Sequence, residues 1–218
     1  KGDEAGIKSS TIKIAGESAM TDIITSGRLE LGLARGAYSY EYERLMPGMD
    51  AWEAGARLRE IVPAIKGLWR GNYKHEGKYY EFPKSTSTPK PLQKQGPPIW
   101  IAARDPNSHE FAINNDCNVQ VTPLWQGYEE VESLINRFQE AKKKCNRQSL
   151  AKIMLLQHTF VSNNTKELEQ ATNSFSEFYA HFGAWFKNER PVDQARIKAL
   201  SKEEIELMDM YSPSILKK

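Results

Sequence analysis

Leu29-Glu30-Leu31-Gly32-Leu33-Ala34-Arg35-Gly36 and Ile99-Trp100-Ile101-Ala102-Ala103 decide the fold. The first stretch alternates and predicts a strand that ends abruptly at Arg35-Gly36. Such a strand-to-glycine exit is where α/β proteins place ligands. The second is a short continuous apolar run, as expected of a strand covered on both faces. Helical patterns surround both. Ala15, Ala19, Met20, Ile23 and Ile24 give 13–24 one buried face, and Gly27 ends it as a left-handed cap. Asp50, with Glu53 three residues on, predicts an N-cap for a helix to Arg70. Its stripe is Leu58, Ile61, Val62, Ile65, Leu68 and Trp69, with Pro63 expected to kink it or end a first segment.

Further along, 118–122 and 152–161 read as strands. The segments from Asp105 to Asn114, 129–144 and 166–182 read as helices, and Ser201-Lys202-Glu203-Glu204 as a capping box opening a last one. Between the deciding strands, Ala37 to Asp50 has no period and reads as a long functional loop. Residues 73–82 read as a hairpin turning at Glu76-Gly77, followed by a proline-rich extended connection, so that 71–98 forms an insertion. Regular alternation of helix and strand means parallel strands with helical crossovers, hence an α/β fold.

Composition narrows the function classes. Thirty Lys+Arg against 28 Asp+Glu, a net charge of +2, lacks the clustered basic excess of a nucleic-acid binder. No apolar run reaches the roughly 18–20 residues of a membrane span. No apolar stretch of signal-peptide length opens the chain. Cys117 and Cys145 make no disulfide framework and no metal cluster, and no histidine pair has metal-ligand spacing. A cytoplasmic setting and a homo-oligomer are expected. Four parallel strands fall short of the eight that close a (β/α)8 barrel. Either the sheet is open and small, or residues lie outside the sequence given, with a discontinuity expected near Ser10-Thr11.

The stretch 27–36 resembles the luciferase-like monooxygenases, the superfamily of bacterial luciferase and alkanesulfonate monooxygenase. The match continues through Leu68-Trp69-Arg70-Gly71, His75-Glu76-Gly77-Lys78-Tyr79-Tyr80, Pro89-Lys90-Pro91-Leu92-Gln93 and Pro97 to Ala103, as ordered blocks at family-like spacing. The resemblance implies a single-domain TIM barrel of the bacterial luciferase type, here incomplete, whose visible strands are the fourth to seventh. It implies a flavin-dependent monooxygenase that oxidises a small organic substrate with molecular oxygen and reduced FMN, delivered by a flavin reductase. The alternatives are a deazaflavin-dependent dehydrogenase of the same superfamily and a non-catalytic flavin-binding relative. The family's base for the oxygen step lies on an early strand, so no catalytic residue is named.

Candidate cofactor residues follow from strand ends and from the resemblance. Arg35, at a strand C-terminus, is a cation for the flavin phosphate, and Gly36 allows close backbone approach. Ala103, Arg104 and Ser108 follow a strand and open a helix, whose N–H groups suit an anion. Ser108 matches the small hydroxyl residues that the family uses here. Asp105 departs from that pattern, because a carboxylate repels phosphate; it reads as an N-cap or as the partner of Arg104, which compensates as a cation. Arg35 and Ser108 are expected to converge on one anion position. Tyr38, Tyr40, Thr122, Trp125 and His158 are the candidate substrate-pocket residues. For His158 a satisfied core position is the competing reading. His75 and His109 are expected to be solvated.

Overall fold

Four parallel strands in the order β1-β4-β5-β6 form the sheet: β1 Leu31–Leu33, β4 Ile99–Ala102, β5 Asn118–Val121 and β6 Ile153–Leu155. Leu31 pairs with Ile99, Ile101 with Val119, and Val119 with Ile153. The computed structural model describes residues 4–123, 127–145, 148–185, 192–194 and 196–207; of 4–10, 39, 40, 45, 206 and 207 it describes only the backbone.

Side chains alternate across a strand, and here one face is covered. Ile99, Ile101, Val119 and Val121 are buried, and Leu31, Leu33 and Ile153 pack against them. The covering layer is α1 (Glu4–Ile24), α3 (Ala51–Arg70), α4 (Pro106–Asn114) and α5 (Gly127–Lys144). Ala15, Ala19, Val62, Ile65, Leu68, Ala112, Ile113, Leu134 and Phe138 are its buried side. On the other face Gly32, Ala102 and Met154 are exposed and Trp100 and Gln120 half-buried. The 99–103 run is therefore covered on one face, not both.

Ser10 and Thr11 lie inside α1, which Ala15 and Ala19 anchor and whose Ala15 carbonyl accepts from Trp69 Nε1 at 2.9 Å. Asp50 caps α3 by accepting from the Glu53 N–H at 2.7 Å. Pro63 does not end α3, because its neighbours Val62, Ala64 and Ile65 are fully buried and hold the helix in place. The 37–50 stretch is not all loop: it contains α2 (Ser39–Leu45). The hairpin forms as β2 (Tyr73–Glu76) and β3 (Glu81–Ser85), with the turn later than expected. Glu60 of α3 accepts from the Lys78, Tyr79 and Tyr80 N–H groups at 2.8, 3.1 and 3.1 Å and clamps the hairpin to that helix. His75 is not solvated but faces Glu60 at 3.5 Å between Tyr73 and Phe82.

The 152–161 strand shortens to β6, because its neighbour β5 ends at Val121 and the ladder has no further partner. Helix α6 (Thr165–Ala184) follows. Its Leu168 is 41% exposed, while Phe175 meets His158. A short pair, β7 (Val192–Asp193) and β8 (Arg196–Ile197), and α7 (Lys202–Leu207) complete the described chain. Ser201 and Glu204 form the expected capping box: each side chain accepts from the other residue's N–H, at 3.2 and 2.7 Å.

At the opposite end of the sheet from the strand exits, Asp22 is fully buried. Its carboxylate accepts from the Gln93 N–H at 2.9 Å and from Gln93 Nε2 at 2.8 Å, tying α1 to the segment before β4. Burial alone would raise this carboxyl, but the Gln93 and Leu92 hydrogen bonds outweigh it and hold it below the ordinary value. A depressed folded-state value means stability present above about pH 4 and lost as pH falls through the lower value. Asp22→Ala should lower unfolding free energy by about 2–3 kcal/mol, read from the denaturant midpoint at pH 7, and should flatten the acid limb of stability against pH.

Candidate functional site

Arg35, Gly36, Ala103, Arg104, Ser108 and Thr122 all follow the C-terminal ends of adjacent strands. Parallel pairing puts these ends along one edge of the sheet. Arg35 is exposed, and its Nη1 donates to the Ala51 carbonyl at 3.1 Å, at the first residue of α3. Gly36 has φ +92°, and a Cβ there would sit 3.0 Å from the Tyr42 ring. Tyr42 is buried and donates its hydroxyl to the Gly36 carbonyl at 2.8 Å. Gly36 is thus required both by its backbone conformation and by the ring over it. The Ala37 and Tyr38 N–H groups donate to Glu41 Oε2 at 3.2 and 3.3 Å.

Tyr38 is half-buried, with ring centroids 6.5 Å from Phe182 and 6.3 Å from Trp185. Burial, and after it the charge of Glu41, raise its phenol above the ordinary value. Tyr40 lies in α2, where only its backbone is described. Thr122 is half-buried just past β5, and Trp125 lies outside the described residues. His158 is neither within a strand nor a core histidine: it lies past β6, exposed, against Phe175, Phe178 and Tyr179 of α6.

The turn between β4 and α4 is held from behind. The Ala103 N–H donates to the Gln120 carbonyl at 3.1 Å, and the Ala103 carbonyl accepts from His109 Nε2 at 3.1 Å. Arg104 pairs with the buried Glu130 of α5, not with Asp105, and its carbonyl accepts from Arg137 Nη1 at 2.8 Å. Asp105 is the N-cap of α4: its Oδ1 accepts from the Ser108 N–H at 3.0 Å and its Oδ2 from the Ser108 hydroxyl at 2.5 Å. Burial would raise the Asp105 carboxyl, but the Ser108 hydrogen bonds and the charge of Arg59 bring it below the ordinary value.

Arg59 is the residue that sequence reasoning missed. It is exposed on α3, donates from Nη2 to Ser108 Oγ at 3.4 Å, and rests 4.9 Å above the Phe111 ring. Nothing in the helical pattern singles it out, because which turn of α3 meets α4 depends on tertiary packing. Arg35 and Ser108 both lean on α3, but at residues 51 and 59, about 12 Å of helix apart. The guanidinium at Ser108 is that of Arg59. Among the described residues no group of three or more His, Cys, Asp and Glu stands close enough to hold a metal ion. No helix among them is long and apolar enough to cross a membrane.

The model of the luciferase-like monooxygenases matches residues 8–217, and the chain belongs to that family. Its four parallel strands with flanking helices are an α/β arrangement of the TIM-barrel type. It is 58% identical over 207 residues to the oxygenase component of the flavin-dependent trigonelline monooxygenase of Acinetobacter baylyi, which covers 95% of this chain and 58% of that protein. Over 98 residues, 42% of this chain and 27% of the relative, it is 33% identical to the FMNH(2)-dependent dimethylsulfone monooxygenase of Pseudomonas putida. Among solved structures, monooxygenase RslO1 from Streptomyces bottropensis superposes with a TM-score of 0.66 at 26% identity, over 78% of this chain and 52% of that one. The chain thus spans less than two thirds of the length of these relatives.

The residues at the strand exits fit an anionic cofactor in charge: two exposed guanidinium groups, Arg35 and Arg59, face this edge. The Asp105 carboxylate opposes them at the Ser108 turn.

His109 gives this turn a pH dependence. The ring is fully buried, edge-on to Phe138, and its Nδ1 has no hydrogen-bond partner among the described residues. Burial pushes the imidazole below its ordinary value, so it is neutral and donates from Nε2 to Ala103. With the folded value depressed, the unfolded chain takes up the proton first as pH falls. Stability should therefore decline below about pH 6.5. In His109→Gln that part of the slope should vanish in thermal melts between pH 7 and 5.

Proposed function

We propose that this chain belongs to the oxygenase component of a flavin-dependent monooxygenase. It takes reduced FMN from a separate flavin reductase and uses molecular oxygen to oxidise a small N-heteroaromatic substrate of the trigonelline kind. The observation that carries this reading is the 58% identity across 95% of the chain to an enzyme of that description. When bound, reduced flavin supplies the electrons and the oxygen-activating chemistry.

The chain's own residues do the binding and shaping. Arg59 offers a forked donor to phosphate oxygens, Ser108 adds a hydroxyl at the first turn of α4, and Arg35, about 12 Å away along α3, adds a second cation to the same edge. Gly36 supplies the positive-φ turn that carries the chain from β1 past this edge, with Tyr42 packed over it. Tyr38, with Phe182 edge-on to it and Trp185 tilted against it, gives one aromatic wall of the substrate pocket in this reading. Tyr40, Thr122, Trp125 and His158 contribute the remaining lining in this reading. The deazaflavin-dependent dehydrogenase reading is less favoured, because both named relatives use flavin and carry out oxygenation.

The test is oxygen consumption by the full-length protein with a flavin reductase, NADH and FMN. Consumption that rises on adding trigonelline, with an oxygenated product, supports the reading. No trigonelline-dependent oxygen uptake in this assay, together with trigonelline oxidation when an oxidised deazaflavin replaces the reductase, NADH and FMN, contradicts it. Arg35→Ala should weaken FMN binding by a few-fold, because its charge acts on the phosphate across the edge rather than through a direct hydrogen bond, and the effect should shrink as salt is raised. Its thermal melting point should stay unchanged, because Arg35 is exposed. The readout is quenching of flavin fluorescence.

A further inference from the structure

Helix α6 runs along the row of strand exits. Its Phe175 packs edge-on to His158, just past β6, and its Phe182 and Trp185 meet Tyr38, just past β1. The two spans match. Seven residues of helix rise about 10 Å, and four neighbouring strands cover about 14 Å. Along this stretch Phe178 stacks on Phe182 at 6.0 Å and meets Tyr179 and His158, each at 5.2 Å. One side of α6 is therefore a row of rings.

At the β6 end the row opens into a cleft of about 400 Å³, lined by Phe160, Glu167, Gln170, Ala171, Ser174 and Phe175. Such a volume suits a small molecule. Phe160 is 47% exposed and makes no ring contact among the described residues. The lining holds one carboxylate, Glu167, and no lysine or arginine among the described residues. Glu167 accepts from the Ser162 hydroxyl at 2.6 Å and from Asn164 Nδ2 at 3.5 Å. Both donors are neutral, so its charge is not cancelled. Ring faces beside a carboxylate of this kind attract a cation and repel an anion.

Resting on the flavin-dependent oxygenase reading above, we propose that this cleft selects the substrate for a fixed positive charge. A planar N-alkylated heteroaromatic cation lies against Phe160 and Phe175, with its ring nitrogen toward Glu167. An alkylated ring nitrogen has neither an N–H to donate nor a lone pair to accept with. Aromatic faces and a carboxylate are the protein groups that recognise it. A ring carboxylate, where the substrate has one, points away from Glu167. The same ring without the alkyl group is uncharged at nitrogen near pH 8 and loses both attractions. Selection thus follows the charge on nitrogen rather than the outline of the ring.

Trigonelline and nicotinate test this directly, because they share ring and carboxylate and differ in the N-methyl group and its charge. Their dissociation constants are measured by calorimetry at pH 8 with the full-length protein and FMN, for wild type, Phe160→Leu and Glu167→Gln. Leucine keeps an apolar wall without a π face, and glutamine keeps a carbonyl oxygen for Ser162. Both positions are exposed, and thermal melts check folding. Wild type should bind trigonelline at least about tenfold more tightly than nicotinate, and each substitution should lower that ratio by roughly three- to tenfold. A wild-type ratio of one or below, or an unchanged ratio in either variant, would overturn the proposal. Trigonelline-dependent oxygen uptake in that same protein would leave the oxygenase reading intact. A wild type that binds neither compound and shows no such uptake would overturn both.

Discussion

Leu31 lies beside Ile99 in parallel register, and most of the rest follows from that pairing. Two parallel neighbours cannot be joined by a tight turn, so the chain between them must cross over the sheet. Residues 34 to 98 do so with α2, α3, the β2–β3 hairpin and a proline-rich return. Helix α3 then passes beside the exits of both strands. It touches Arg35 at its first residue and reaches Ser108 through Arg59. Its inward side fills the core with Val62, Ile65 and Leu68, while Glu60 holds the hairpin. One helix thus joins the apolar interior to the charged edge.

That edge is rigid because its backbone is satisfied from behind. His109, Arg137 and Glu130 anchor residues 103 and 104, and Asp105 closes the first turn of α4. Buried polar groups with partners of this kind fix one geometry, since losing a partner leaves a desolvated atom unpaired. The opposite end is tied in the same way by Asp22 and Gln93. The guanidinium groups of Arg35 and Arg59 stay exposed along this edge, held by the Ala51 carbonyl and the Ser108 hydroxyl.

The strands, the covering helices and the N-caps Asp50 and Asp105 were legible in the sequence, because periodicity and short-range capping are local properties. What escaped it depended on tertiary contact. Whether Pro63 ends α3 was decided by the burial of Val62 and Ile65. Where the 152–161 strand stops was decided by the length of β5. His109 is a polar residue on a short helix, and only the packing of Phe138 and the Ala103 carbonyl makes it a buried lock. Arg59 has no local signature, so its approach to Ser108 emerged only with the α3–α4 geometry. Of the candidate site, Arg35, Gly36 and Ser108 sit at strand exits as expected, whereas Arg104 turns to Glu130 and His158 falls past its strand.

The central claim is that the phosphate end of a flavin docks at the exits of β1 and β4. A crystal structure of the protein with FMN tests it most directly. The account predicts the phosphate at this edge, within hydrogen-bond distance of Arg59 or Ser108. A phosphate bound away from the exits of β1 and β4 would contradict it.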